Sequence, residues 1–342
     1  MAMIAKLSIM RFPLRQTIAI ARYISRQKRS GAKRFPLVLM LEPLHACNLA
    51  CSGCGRIREY HDSLSKMVPL DTCLKAVDEC KAPVVSICGG EPLLYPEIGE
   101  LVSEILKRGR VVYLCTNGQV LNKKLFLFRP HPFFNINVHI DGPQKMHDAI
   151  VEKEGAYAKA MEAIRLALAL GFTVCTNTTI YKQTEVEEIR RLIKELEDVR
   201  INGILLSPSY GYEDVADQSV FLTRDEIVKK FSSLRSAANG KRIWSTPLYL
   251  DFLTGKRQFE CTPWGNITYN IKGWKAPCYL ITDRHYETFA EFMQCVDWSR
   301  YGPGEDRRCE HCMVHSGFEA TVALKAGSSF KDALCMARWT LS

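Results

Sequence analysis

Between residues 36 and 240, short apolar runs alternate with amphipathic stretches, and this alternation limits the fold more than any other feature of the chain. The apolar runs predict strands at 36–43, 84–88, 110–116, 134–140, 173–180 and 203–208. The amphipathic stretches predict helices at 71–80, 97–108, 121–128, 156–170, 185–197 and 224–238. Strand–helix units in series build a parallel α/β sheet with right-handed crossovers. Six units fall short of the eight in a closed barrel, so a partial (β/α)6 barrel is expected. After about residue 240 the alternation stops, and Gly, Pro, Trp and Cys become frequent. The expected organisation is an N-terminal arm over 1–35, a barrel over 36–240, and a loop-rich, cysteine-containing extension over 241–342.

Such folds place their chemistry at the C-terminal ends of the strands. Here those ends run into the Cys47 loop, Cys88-Gly-Gly-Glu-Pro92, Cys115-Thr-Asn-Gly118 and Asp141-Gly-Pro143, which one mouth would collect. The first is a C-x3-C-x2-C loop, Cys47-Asn-Leu-Ala-Cys51-Ser-Gly-Cys54. Three thiolates on one loop can hold three irons of a [4Fe–4S] cluster and leave the fourth open. A structural zinc site completed by His45 or a distant residue is the other reading of the same residues. Disulfides are not expected of the 14 cysteines, because the chain is expected to remain in the reducing cytoplasm. Lys6, Arg11 and Arg15 interrupt every apolar stretch near the N-terminus, and no uncharged apolar run reaches the ~18 residues of a membrane span.

The net charge of +9 is local. Lys6, Arg11, Arg15, Arg22, Arg26, Lys28, Arg29, Lys33 and Arg34 all precede the first acidic residue, Glu42, and the rest of the chain is neutral. A neutral body argues against nucleic acid as a partner. Over 13–29, Arg15, Arg22, Arg26 and Arg29 form one helical stripe, with Leu14, Ile20, Ala21 and Ile24 opposite. That pattern suits a helix in an anionic membrane interface, and equally a helix packed on its own domain.

The cysteine triplet followed by Gly89-Gly90-Glu91-Pro92 resembles the radical S-adenosylmethionine superfamily. The resemblance implies a partial (β/α)6 radical SAM barrel. It makes Cys47, Cys51 and Cys54 the ligands of a [4Fe–4S] cluster, and it implies that S-adenosylmethionine chelates the open iron. The Gly89–Pro92 turn would then bind the amine of that molecule, with Asn117 and Asn177 as further polar contacts. One departure is Gly53, where the superfamily usually carries an aromatic residue before the third cysteine. Ile57 or the strand ends are expected to cover the adenine instead.

Further strings narrow the resemblance to the hopanoid-biosynthesis branch of the superfamily. They are Cys54-Gly-Arg-Ile-Arg-Glu-Tyr60, Asn137-Val-His-Ile-Asp-Gly-Pro143, Cys261-Thr-Pro-Trp-Gly-Asn266, Gly273-Trp-Lys-Ala-Pro-Cys278 and Cys309-Glu-His-Cys312-Met-Val-His315. This resemblance implies addition of a 5′-deoxyadenosyl radical to the alkene of diploptene, a pentacyclic triterpene. Reduced flavodoxin or ferredoxin is the expected electron donor. A substrate dissolved in bilayers gives the basic helix a purpose, so a cytoplasmic enzyme peripheral on the membrane is expected. Phe126, Phe128, Phe133, Phe134 and Trp264 are candidates for an apolar pocket. The carbon radical left by addition must gain a hydrogen atom, for which Cys115, then Cys88, are the candidate donors. Cys261, Cys278, Cys309 and Cys312 are expected to hold a second [4Fe–4S] cluster or a zinc ion, with His311 and His315 as spare ligands. Cys73 and Cys80, seven apart on a helix, are expected in the core. Two rivals stand beside this reading: a radical SAM enzyme that abstracts hydrogen from a peptide or small molecule, and a zinc-stapled adaptor for anionic membranes.

Overall fold

The computed structural model describes residues 12–236, 242–327 and 329–341; Lys6 and Arg11 of the basic segment lie outside them. Helix α1 spans Leu14–Arg29, and strand β1 spans Val38–Leu41. The short α2 (Arg56–Glu59) and then α3 (Leu70–Cys80) lead to β2 (Val84–Ile87). The chain continues through α4 (Ile98–Lys107), β3 (Val111–Thr116) and β4 (Phe134–His139). Next come α5 (Gln144–Ile150), α6 (Ala156–Ala169), β5 (Thr173–Ile180), α7 (Val186–Asp198), β6 (Gly203–Pro208) and α8 (Arg224–Leu234). The first six strands are parallel neighbours in chain order, as six strand–helix units require.

Two local departures have physical causes. The helix expected at 121–128 is a pair of 3-10 turns, Leu121–Lys123 and Leu125–Leu127. Leu121, Leu125 and Phe128 are buried, but Pro130 and Pro132 follow closely and leave no room for the segment to continue as a longer helix. Helix α5 is additional, and starts directly after Pro143.

The extension is not simply loop-rich. It holds α9 (Pro247–Leu253), β7 (Asn266–Asn270), β8 (Gly273–Pro277), β9 (Thr282–Tyr286), α10 (Phe289–Cys295), α11 (His315–Ala326) and α12 (Phe330–Leu341). Strand β7 pairs in parallel with β1, Val38 opposite Asn266, and β8 and β9 follow antiparallel. The result is one nine-stranded sheet in the order β6-β5-β4-β3-β2-β1-β7-β8-β9. β1 is therefore an inner strand rather than an edge.

The two faces of the barrel strands differ. Leu39, Leu41, Val85, Ile87, Leu114, Ile136, Val138 and Val174 point to the surrounding helices and are buried, with Cys73 and Cys80 of α3 in the same core. Alternate residues on each strand point the other way, as strand pleating dictates. Met40, Ser86, Cys115, Asn137, Asn177 and Leu205 face an interior cavity of about 1030 Å³. The barrel interior is thus open where a closed eight-stranded barrel is filled by side chains.

Helix α1 packs under the N-terminal ends of the strands. Gln16 is buried and donates through Nε2 to Pro132 O at 2.9 Å and to Asn135 Oδ1 at 3.1 Å. Tyr23 is buried against Phe35, Leu37 and Ala320. The aliphatic reverse of the helix is turned inward, because Ile20, Ala21 and Ile24 border the cavity, while Arg15, Arg22 and Arg26 are exposed and do not border it; Arg29 is exposed at its edge. The segment is therefore docked on the barrel, not a detached arm. No helix among the described residues is long and apolar enough to cross a membrane.

Candidate functional site

Cys47, Cys51 and Cys54 border the cavity at the C-terminal ends of the strands, and none is in a disulfide. Arg58, one turn along, donates to the carbonyls of Cys51 and Cys54 and so fixes the shape of the loop. Burial raises the Cys47 thiol to about 11 and holds the Cys51 thiol well above its ordinary value. Half-buried thiols of this kind become thiolates only when a cation compensates them. Among the described residues no three Cys, His, Asp or Glu side chains converge as a single ion requires. The three thiols instead surround one end of a cavity, a donor set that fits an iron–sulfur cluster.

The Gly89–Pro92 turn is built onto this loop. A Cβ on Gly89, whose φ is +106°, would lie 2.4 Å from Leu44 O, and one on Gly90 would lie 2.0 Å from Ala46 O. Gly90 N and Glu91 N donate to the same two carbonyls at 3.1 and 2.8 Å. What the two glycines admit is the backbone of the cysteine loop. Glu91 is buried, and its carboxylate accepts from Leu93 N (3.0 Å), Thr116 Oγ1 (2.7 Å) and Asn117 N (2.8 Å). Burial nevertheless raises its pKa to about 7. Glu91 therefore pins the turn to the end of β3. Asn117 carries the link onward, donating from Nδ2 to Asn48 Oδ1 at 2.8 Å and to Cys47 Sγ at 3.8 Å. Gly89, Gly90, Glu91, Asn117 and Asn177 all border the cavity. Pro92 does not; it is buried and starts a 3-10 turn.

The space beside Gly53 and Gly55 is filled by rings from across the barrel. Tyr181 follows β5 directly, and a Cβ on Gly53 would lie 2.5 Å from its Cε1. Tyr212 stands in the same relation to Gly55, at 2.3 Å from its Cγ. Both rings border the cavity, whereas Ile57 does not. Nothing in the sequence pairs these residues, although a glycine where a ring is usual is a signal that a ring approaches from elsewhere.

Cys115 and Cys88 both border the cavity. Ser86 Oγ lies 3.2 Å from Cys115 Sγ, and Asn137 Nδ2 donates to that sulfur at 3.6 Å. Burial raises the thiol further, so Cys115 is held protonated. On β4, His139 Nε2 lies 2.6 Å from Asp141 Oδ2. Burial opposes the charged imidazole, but Asp141 outweighs it and raises the pKa. The expected aromatic lining is absent. Phe126 is exposed, Phe128 and Phe134 lie in the helix-side core, and neither Phe133 nor Trp264 borders the cavity. Tyr113, Trp244 and Trp339 border it instead, because strand residues two apart and the C-terminal helices face inward.

Cys261, Cys278, Cys309 and Cys312 come together around a second, smaller cavity of about 30 Å³. Cys312 N donates to Cys309 O at 3.0 Å, closing the turn that aims both thiols the same way. Neither His311 nor His315 borders it: His311 accepts from Arg224 N, and His315 borders the large cavity. Arg56 stands between the two cysteine groups. Its guanidinium donates to Tyr279 O at 2.5 Å, lies 3.1 Å from Glu59 and 3.7 Å from Glu42, and stacks over the Tyr279 ring at 4.6 Å.

Residues 41–196 match the Radical SAM superfamily, and residues 204–336 match a domain of unknown function (DUF3463). The chain is 28% identical over 165 residues to the pre-heme d1 synthase of Dinoroseobacter shibae, covering 47% of this chain and 40% of that one. It is 28% identical over 216 residues to the GTP 3′,8-cyclase of Clostridium perfringens, covering 60% and 65%. The chain thus spans about half the length of these curated relatives. In fold it is similar to the solved structure of anSMEcpe with bound AdoMet, with a TM-score of 0.57, 17% identity, and coverage of 88% of this chain and 98% of that one. Residues 41–196 form a domain of the radical SAM superfamily, whose members use a [4Fe–4S] cluster and S-adenosylmethionine.

Proposed function

We propose that the protein is the adenosylhopane synthase of hopanoid biosynthesis, which adds the 5′-deoxyadenosyl group of S-adenosylmethionine to the alkene of diploptene. The observation that carries the reading is the cavity: about 1030 Å³, bordered at one end by Cys47, Cys51 and Cys54 and at the other by aliphatic residues of α1 and α12. A single drug-sized ligand needs ~300–1,000 Å³, so this volume suits a polar cofactor and a large hydrocarbon end to end. Cys47, Cys51 and Cys54 would hold a [4Fe–4S] cluster. Bound there and reduced, it supplies the electron that cleaves S-adenosylmethionine to methionine and a 5′-deoxyadenosyl radical. Tyr181 covers the adenine in place of the missing aromatic, and Asn117, Asn177 and the Gly89–Glu91 turn hold the polar end.

Cys115 then gives its hydrogen atom to the tertiary carbon radical formed by addition. The S–H bond breaks, a C–H bond forms, and the thiyl left behind takes one electron from reduced flavodoxin or ferredoxin and one proton. Ser86 and Asn137 hold the sulfur toward the cavity for this step. Cys261, Cys278, Cys309 and Cys312 would hold a second cluster rather than the zinc ion also expected of them, since among the described residues no three side chains converge as a single ion requires, and Arg56 joins the two sites.

Mass spectrometry tests the reading on anaerobically reconstituted protein given S-adenosylmethionine, a strong reductant and diploptene in detergent. An adduct carrying the whole adenosyl group is expected. Free 5′-deoxyadenosine with no adduct would refute addition and point to hydrogen abstraction from another substrate.

A further inference from the structure

The large cavity has a second mouth. Ala21, Ser25 and Lys28 of α1, together with Gly327 and Ala333, are exposed and also border the cavity. Residues that do both mark an opening, and α1 sits under the N-terminal ends of the strands, so this opening lies opposite the cysteine loop. Lys28 bridges it, donating to Leu324 O of α11 at 3.1 Å.

Its rim is cationic and apolar together. Arg22, Arg26 and Arg29 are exposed on α1. Phe330 at the start of α12 is 86% exposed, and Leu334 on the same helix and Ile18 on α1 are exposed as well. The acidic residue of α12, Asp332, is held by Arg257 at 2.7 Å. Cations above an exposed aromatic and aliphatic surface match an anionic bilayer: the charges meet headgroups and the apolar side chains enter the interface. A polar small-molecule substrate would have no use for such a rim.

We propose that the α1–α12 face docks on an anionic membrane, and that the opening between α1, α11 and α12 is the gate through which a membrane-dissolved apolar substrate enters the barrel from below. The inference rests on the reading of the cavity as a lipid site. It separates two traffic routes: S-adenosylmethionine is handled at the cysteine end and the hydrocarbon at the helix end, so neither blocks the other.

Pyrene, an apolar hydrocarbon excited by tryptophan emission, tests the gate, because Trp244 and Trp339 border the cavity. The full-length protein is mixed with pyrene-loaded vesicles of phosphatidylcholine with phosphatidylglycerol, with vesicles of phosphatidylcholine alone, or with neutral detergent micelles. Tryptophan-to-pyrene transfer is expected to be at least about tenfold faster from the anionic vesicles, as several surface cations imply. Arg22→Glu with Arg26→Glu should abolish that advantage while loading from micelles stays normal, and the corresponding Lys variants should keep it. Ala333→Phe and, separately, Ala21→Phe narrow the opening and should slow loading from every source. Wild-type loading rates in both narrowed variants would overturn the gate. Equal loading from both vesicle types, or loading from micelles only, would overturn the membrane and leave the face to a protein partner. If pyrene loads as described but diploptene gives no adenosyl adduct, the gate stands and the substrate reading falls. An adduct formed at the wild-type rate in the narrowed variants removes the gate alone.

Discussion

Gly53 and Tyr181 give the sharpest test of how this site is built. A Cβ on Gly53 would lie 2.5 Å from Tyr181 Cε1, 2.6 Å from its hydroxyl and 2.9 Å from Cζ, where ordinary contact begins near ~3.5 Å. The ring would have to move by about 1 Å. It is not free to do so, since Tyr181 is buried among Ile150, Val215 and Phe221, with the Phe221 ring centroid 6.4 Å away. Overpacking a filled site costs ~1–3 kcal/mol, so Gly53→Ala is expected to lower stability by about 2 kcal/mol. Tyr181→Leu leaves a gap and costs a similar amount on its own. In the double variant the new methyl group enters the space the ring vacates. The two effects should then fall short of additive by ~1–2 kcal/mol, well outside the ~0.3–0.5 kcal/mol scatter of independent sites. Urea unfolding of the four proteins measures this coupling without any cofactor. Calorimetric binding of S-adenosylmethionine to the reconstituted proteins measures the functional half. Base–aromatic stacking is worth ~1–3 kcal/mol, so Tyr181→Leu should weaken binding about tenfold or more. Strict additivity of the stabilities would refute the packing argument, and unchanged affinity in Tyr181→Leu would refute the placement of adenine against this ring.

Thr116→Val keeps the shape of its buried side chain but removes the 2.7 Å bond to Glu91, so it should cost ~1–3 kcal/mol and push the Glu91 pKa above about 7; an unshifted urea midpoint would refute the pinning role. Cys115→Ser retains a hydroxyl for Ser86 and Asn137 but has a much stronger bond to hydrogen, so S-adenosylmethionine should still be consumed while saturated product is lost; a full yield would refute the donor assignment. Burial lowers both His147 and His315 to about 4, so the unfolded chain binds more protons than the folded one below the ordinary histidine value. Their stability contribution is complete above pH ~6.5 and is lost as the pH falls toward about 4, by up to ~3 kcal/mol each. Urea midpoints that stay flat from pH 7 to 5 would refute it.

The strand pattern was legible because each barrel strand serves two masters. Leu39, Val85, Leu114 and Ile136 must bury against helices, and that produces runs apolar enough to find. The inward residues between them, Met40, Ser86, Cys115 and Asn137, look like noise in such a run; only the curved, open arrangement of strands reveals them as one surface. The cysteine loop and the Gly89–Pro92 turn were legible for a different reason. Their spacing is local, and the close approach of the turn to Leu44 O and Ala46 O leaves no choice but glycine. What stayed hidden is whatever depends on long-range pairing. Tyr181 packs on Gly53 from the end of β5, where the sequence offered Ile57 or the strand ends without choosing among them, and β7 adds to β1 across more than two hundred residues of chain. The aliphatic face of α1 was legible as a face, but its inward orientation was not, since a helix that lines a cavity and one that lies on a bilayer present the same periodicity.

The pairing of β7 with β1 also explains the charges buried between the two cysteine groups. β1 ends at Leu41, and Glu42 follows it into the barrel mouth with its side chain fully buried. Burial alone would push that carboxyl up; Arg56 foremost, then His45 and Lys275, outweigh it and bring it down to about 2. Lys275 is itself buried on β8, where it lies 3.3 Å from Glu59. Asn270, the last residue of β7, donates to Glu42 and to Tyr60. Two carboxylates and two cations thus meet: Glu42 from the end of β1, Arg56 and Glu59 from beside the first cysteine loop, and Lys275 from the extension. Removing one partner from such a buried set leaves an uncompensated charge, which costs ~3–5 kcal/mol. Neither part can therefore complete this cluster alone. The extension is a structural half of the barrel mouth, and Arg56, two residues beyond Cys54 and in contact with the residue after Cys278, makes the geometry of each cysteine group depend on the other.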